Sequence, residues 1–338
     1  MYRGLLTAPG KPRGAAAVLI SQNEPNRRFT SMTRRYLPML VLLALVWGSS
    51  FMFIKVAVRE LDPATLVLGR LGIAALTLAL VVPLVLGGRV TFAELRAQWL
   101  VLAVVGLLNT AVPFWLLSWG ETRIDSGLAS IIQASVPIFN ALLAFGFFHE
   151  QRVTGRRLIG VAVGFVGVAL LVGAQPQGKI LGALAVVGMA TCYAAGGLLA
   201  RKHLGGVRPQ AVALGTTSVA AIVMLPTGVA FAPHHLPGWK ALASVAFLGV
   251  VGTAFAYLLF YTIIAGRGAA YASFVTYLVP PVALAYGAVF LDERIGVAAI
   301  VGLALILTGV ALGTGRKRRA AAGGAFDTRV AAAPSEPS

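Results

Sequence analysis

Ser130, Gln133, Pro137 and Asn140 follow one another at intervals of three, four and three residues inside an otherwise apolar run. That spacing sets a hydroxyl, two amides and a proline on one side of a helix. The matching stretch later in the chain offers Ser273, Thr276, Tyr277 and Pro280. Two further runs carry Asn109, Thr110, Trp115 and Trp119, and Thr253, Tyr257 and Tyr261. Aromatic faces beside amides and hydroxyls suit recognition of a small amphipathic solute through apolar contact and a few oriented hydrogen bonds. The competing reading is structural: hydroxyls and amides also stitch apolar helices together, at about 0.6 kcal/mol each. Trp119 and Tyr261 read as interface anchors.

Arg70 is a cation well inside an apolar run, seven residues past Pro63. Its planar fork fits a carboxylate or phosphate better than a lysine would. Alternatively the long side chain snorkels to the membrane edge. Pro137, Pro280 and Pro281 each leave a carbonyl one turn earlier without its helical partner, so each is a static kink or a flexing point beside a cavity. Glu150 and Glu293 follow these prolines and have basic neighbours; helix-end caps are their simplest reading, and proton coupling the sharper one. Glu121 falls at the end of a run, so the sequence shows no acid near mid-depth.

Bond-breaking chemistry has little to work with. His149-Glu150 is followed by Gln151 and Arg152 without the second histidine that a helical zinc site needs. Cys192 is the one cysteine, too few for a disulfide framework or a thiolate metal site. No enzyme, metal or cofactor is expected.

These groups must be held by membrane helices. The 338 residues are 58% hydrophobic and 12% charged, about half the charge of a soluble surface. Ten apolar runs, near 37–57, 63–86, 98–118, 126–148, 155–173, 179–200, 208–231, 240–263, 269–291 and 295–314, are each long enough to cross a bilayer. The expected fold is all-α, a polytopic membrane protein. The net charge of +17 follows from topology rather than from nucleic-acid binding, because the basic residues gather in tails and short loops. Their bias places both termini in the cytoplasm, with the chain in the cytoplasmic (inner) membrane. Residues 1–35 read as a disordered basic tail, with Met32 an alternative start, and 316–338 as a second disordered tail.

The chain is also duplicated. Pro137 followed by Glu150 recurs at the same separation as Pro280 followed by Glu293, and Gly167-Val-Ala-Leu170 recurs as Gly309-Val-Ala-Leu312. The halves are 36–174 and 179–315, five helices each, so the second must cross in the opposite sense and the repeats are inverted. Gly160, Gly164 and Gly167, with Gly302 and Gly309, provide small-residue faces for packing within a half or for a homodimer.

Trp47-Gly48-Ser49-Ser50-Phe51, Lys55, Pro63 and Arg70, with the two proline-to-glutamate segments, resemble the drug/metabolite transporter superfamily, specifically the group with two EamA-type repeats. The resemblance covers roughly residues 36 to 315. It implies a ten-helix carrier of small metabolites with a cavity lined by helices 3, 4, 8 and 9. The chain lacks the helix 1 glutamate of the related four-helix multidrug carriers, which argues against cation-drug export by their mechanism. The expected function is a secondary transporter working by alternating access, exporting an amino acid or similar solute. An importer or facilitator of another organic solute, or a non-transporting signalling or scaffold protein, stands as the alternative. The expected substrate-binding residues are Gln133, Asn140, Asn109, Trp115, Tyr257, Tyr277, Thr276 and Arg70, with Pro137, Pro280 and Pro281 at flexing points.

Overall fold

A computed structural model describes residues 24–147 and 155–314 of the chain. Glu150 lies outside these, as do Met1 and the C-terminal tail. Every element among the described residues is helical: α1 (Glu24–Ala57), α2 (Pro63–Leu86), α3 (Gly88–Ala97), α4 (Trp99–Gly106), α5 (Val112–Glu121), α6 (Ser126–Gln133), α7 (Val136–Phe147), α8 (Arg156–Gly173), α9 (Gln177–His203), α10 (Pro209–Ala230), α11 (Trp239–Gly249), α12 (Ala256–Arg267), α13 (Ala269–Ala272), α14 (Val275–Phe290) and α15 (Val297–Thr314). Two π-helical segments, Leu107–Ala111 and Val250–Phe255, join α4 to α5 and α11 to α12 without a break.

Among the described residues, seven rods are long and apolar enough to cross a bilayer, counting Trp99–Glu121, Ser126–Ala144 and Trp239–Arg267 as one each. Leu158–Gly173, Val275–Phe290 and Val297–Leu312 are shorter apolar helices. With backbone polar groups satisfied within each helix and leucine, valine and phenylalanine outermost, this is an integral membrane protein. The short amphipathic α3 was absent from the expected spans. It runs from Gly87, whose φ of 86° turns the chain sharply out of α2, and Glu94 pairs with Arg208 at 3.5 Å.

The halves interlock rather than sit side by side. α1 packs on α11, α12 and α14 of the second half, while α9, which opens that half, packs on α4 through α7 of the first. α2 pairs with α10, and α8 with α15. The last contact uses the glycines: a methyl on Gly309 would meet the Gly160 carbonyl and the Gly164 nitrogen at 2.5 Å. The small-residue face expected within one half, or between two copies, is therefore covered by the other half of the same chain.

Other expectations change. α1 begins at Glu24, so residues 24–35, read from sequence as a disordered tail, are helical. A helix already nucleated by an apolar span extends at little cost once past Pro25. The polar face through Ser130, Gln133, Pro137 and Asn140 is not one continuous helix. The chain turns at Ala134–Ser135, where the Ser135 hydroxyl donates to the Ile132 carbonyl at 2.6 Å. Pro137 then sits in the first turn of α7, where its missing N–H is harmless. The second half breaks one turn earlier relative to its prolines, at Ser273–Phe274, leaving Pro280 and Pro281 inside α14.

Candidate functional site

The two π segments occupy equivalent places in the halves, at the same separation that relates Pro137 to Pro280, and each contains a buried threonine, Thr110 or Thr253. A π turn admits one extra residue and so shifts the register of a helix, which is why such turns gather at functional sites. In the second one the Thr253 hydroxyl donates to the Leu248 carbonyl, five residues back, at 2.8 Å.

Arg70 reaches this point from α2. It is 5% exposed, so it does not snorkel to the edge. Its Nε donates to Thr253 Oγ1 at 2.8 Å, and its Cζ lies 4.0 Å from the centre of the Phe114 ring on α5. Arg70 and Thr253 belong to opposite halves, and so do Thr110 and Tyr257, whose side chains lie next to one another. Phe114 and Tyr257 are themselves repeat counterparts. The phenols of Tyr193 and Tyr257 stand within electrostatic reach of the guanidinium. A charged hydrogen bond contributes about 1.5–3 kcal/mol and a desolvated cation–π contact about 2, which offsets part of the burial of the charge.

Of the expected binding residues, Arg70 and Tyr257 are thus brought together on opposite sides of the interface between the halves. Asn109 adjoins them in the first π segment, half-buried, with its backbone against Gly196 of α9. Gln133 and Asn140 are half-buried on either side of the α6–α7 break, and neither makes a side-chain hydrogen bond among the described residues. Thr276 and Tyr277 are half-buried at the start of α14, and the Tyr277 ring lies 6.2 Å from that of Phe274. Trp115 points away from the cluster. At 37% exposure it stacks on Trp119 and lines a largely apolar recess of about 400 Å³ with Val223, Met224 and Phe231 of the α10 region.

Near Asp62 and Asp125 the halves are fastened by charge. Glu293 accepts three hydrogen bonds from the N-terminus of α6: Ser126 N at 2.8 Å, Ser126 Oγ at 2.9 Å and Gly127 N at 3.0 Å. Glu293 is an end cap, as its sequence suggested, but it caps a helix of the other half, where the positive end of the helix dipole favours a carboxylate. Gly287 leaves room for it; a methyl there would collide with Oε2. Lys55 ties α1 to the end of α5, donating to the carbonyls of Glu121 and Ile124 at 2.7 Å each. Beside these bonds the Glu121 side chain is 0% exposed, and neither carboxylate oxygen has a hydrogen-bond partner among the described residues.

Sequence reasoning named none of Phe114, Tyr193 and Glu121 as a site residue. The first two carried a signal, as repeat counterparts of Tyr257 and Trp47. Glu121 carried none, since its position at a helix end suggested water.

Duplicated apolar helices, interlocked, with a buried cation held between them and broken rods on either side, define a membrane transporter. The chain belongs to the EamA-like transporter family, which matches residues 34–173 and 180–314. It is 32% identical, over 84% of its length and 96% of the relative's, to a protein of Streptantibioticus cattleyicolor named a probable terminal-alkyne amino-acid exporter. It is 28% identical to an uncharacterized transporter of Archaeoglobus fulgidus, over 80% and 95% of the two chains. A probable amino-acid metabolite efflux pump of Escherichia coli is 26% identical over 82% and 94%. A solved crystal structure shares the fold at a TM-score of 0.58 and 18% identity, covering 83% of this chain and 97% of its own. The protein is a transporter and not an enzyme.

Proposed function

We propose that the protein is a secondary carrier that exports amino acids or similar amphipathic solutes across the inner membrane by alternating access. Its ten crossings, five in each inverted half, leave both termini in the cytoplasm. The observation that carries this reading is Arg70: a buried guanidinium between the halves, bonded through Nε to Thr253, with no hydrogen bond from its forked Nη donors among the described residues, so that they can serve an acceptor on the solute. A carboxylate fits that fork. Phe114 and Tyr257 offer apolar surface for a side chain, and Gln133, Asn140, Asn109 and Thr276 offer amides and a hydroxyl. The relatives named as amino-acid or amino-acid-metabolite exporters support the solute class and the direction. Because Arg70 bonds to one half and rides on the other, rocking the halves would alter its surroundings, as alternating access requires.

Metabolites inside and outside cells overproducing the parent are compared with those of Arg70→Gln and Gln133→Ala/Asn140→Ala cells. A few related carboxylate-bearing compounds should accumulate outside with the parent alone. Equal export by the Arg70→Gln variant would rule out the proposed anchor, and no exported compound in any strain would count against export itself.

A further inference from the structure

Glu121 has no task in the solute site described above, yet it is the least hydrated acid among the described residues. Its carboxyl group is wholly buried, and both oxygens lack partners. An ionised carboxylate in that setting would cost several kcal/mol, whereas a neutral acid would not. The charges whose fields reach it come from three elements: Lys55 on α1, Arg70 on α2 and Glu293 beyond α14. Lys55 is within reach but engaged, its ammonium spent on the Glu121 and Ile124 carbonyls. Glu293 is a like charge, held close by its bonds to Ser126 and Gly127. α6 carries no charged residue, and Lys179 of α9 lies 4.0 Å from Asp125 at the exposed end.

We propose that Glu121 is a proton-binding site that links opening of this end of the carrier to pH, a second, ionic activity resting on the two-state carrier reading. With the Glu293 bonds made, the end is closed and Glu121 holds a proton. When the halves part, Glu293 withdraws, water enters, and the proton passes from the carboxyl to that water. The carboxylate left behind pairs with Lys55, whose ammonium must first leave the two carbonyls. Acid therefore favours closure and alkali favours opening, because the closed form binds the extra proton. Sodium is a poorer occupant, since the backbone carbonyls it would need are already taken by Lys55.

The full chain carrying Cys192→Ser and Ile124→Cys is reconstituted in nanodiscs and labelled with a membrane-impermeant maleimide across a pH series, in potassium and in sodium buffer. Ile124 is fully buried, so labelling reports opening. Labelling, divided at each pH by that of an exposed reference cysteine (Leu236→Cys, Cys192→Ser) so that thiolate formation cancels, should accelerate as pH rises, by up to about tenfold per pH unit, the limit for linkage to one proton. In the Glu121→Gln background it should be slow and flat, and Glu121→Asp should restore the slope. Infrared difference spectra of the parent should show a neutral carboxylic acid band that Glu121→Gln removes. A pH response that survives Glu121→Gln, a response to sodium in place of pH, or absence of the acid band would each overturn the proposal. Neither readout needs a solute, so a protein that exports none of the metabolites tested above would still show both.

Discussion

Arg70 does two things with one side chain, bonding to Thr253 through Nε and lying over the Phe114 face. Lysine can do neither in the same geometry, because an ammonium has no planar fork. Arg70→Lys should therefore lower flux of a carboxylate-bearing solute into proteoliposomes on the order of tenfold to a hundredfold, close to Arg70→Gln; near-parental flux would show that charge alone suffices. Thr253→Val removes a hydroxyl that accepts from Arg70 and donates to Leu248. Leaving a buried charged donor unpaired costs more than a neutral bond contributes. Thermal unfolding should accordingly show a larger loss for Thr253→Val than for Thr253→Ser, by about 1–3 kcal/mol.

At the level of elements, α8 and α15 meet through glycine with no room for a methyl, whereas a methyl on Gly72 of α2 would meet nothing within 4 Å. Close backbone approach is the main attraction available between helices in lipid, where apolar side chains gain little from leaving the bilayer. Gly309→Ala should thus lower folded yield in detergent-solubilised membranes severalfold, while Gly72→Ala holds or raises it; equal yields would deny the α8–α15 contact its role. The broken rods α6–α7 and α13–α14 have their turns one helical turn out of step relative to the prolines. The alternating-access carrier proposed above would use that asymmetry, since two halves of identical shape could not shut one end alone.

For the whole molecule, the Glu293 bonds to the start of α6 fasten one half to the other at the end near Asp125, and the Glu94–Arg208 pair joins them elsewhere. A disulfide between Ser126→Cys and Glu293→Cys, in a Cys192→Ser background, should abolish most flux, and a reductant should restore it. Undiminished flux with the cross-link formed would mean that this end does not open. Much of this design was legible beforehand: apolar length marked the membrane helices, and repeated Pro, Glu and Gly positions marked two halves. Arg70 and Tyr257 stood out because polar groups are costly in hydrocarbon. The environment of Glu121 was not legible, because a position at a helix end says nothing of what lies over it; Lys55 comes from 66 residues earlier in the chain, and Glu293 from 167 residues beyond the Ser126 that it holds. Nor did periodicity show the π segments, which change register without changing composition, or the exposure of Trp115 in a recess with Trp119. Local hydropathy and internal repetition therefore determined the class, the helices and the duplication, because they depend on neighbours in the chain. Only the tertiary structure decided which polar groups meet, since interlocking the halves brings together residues whose separation no local pattern encodes.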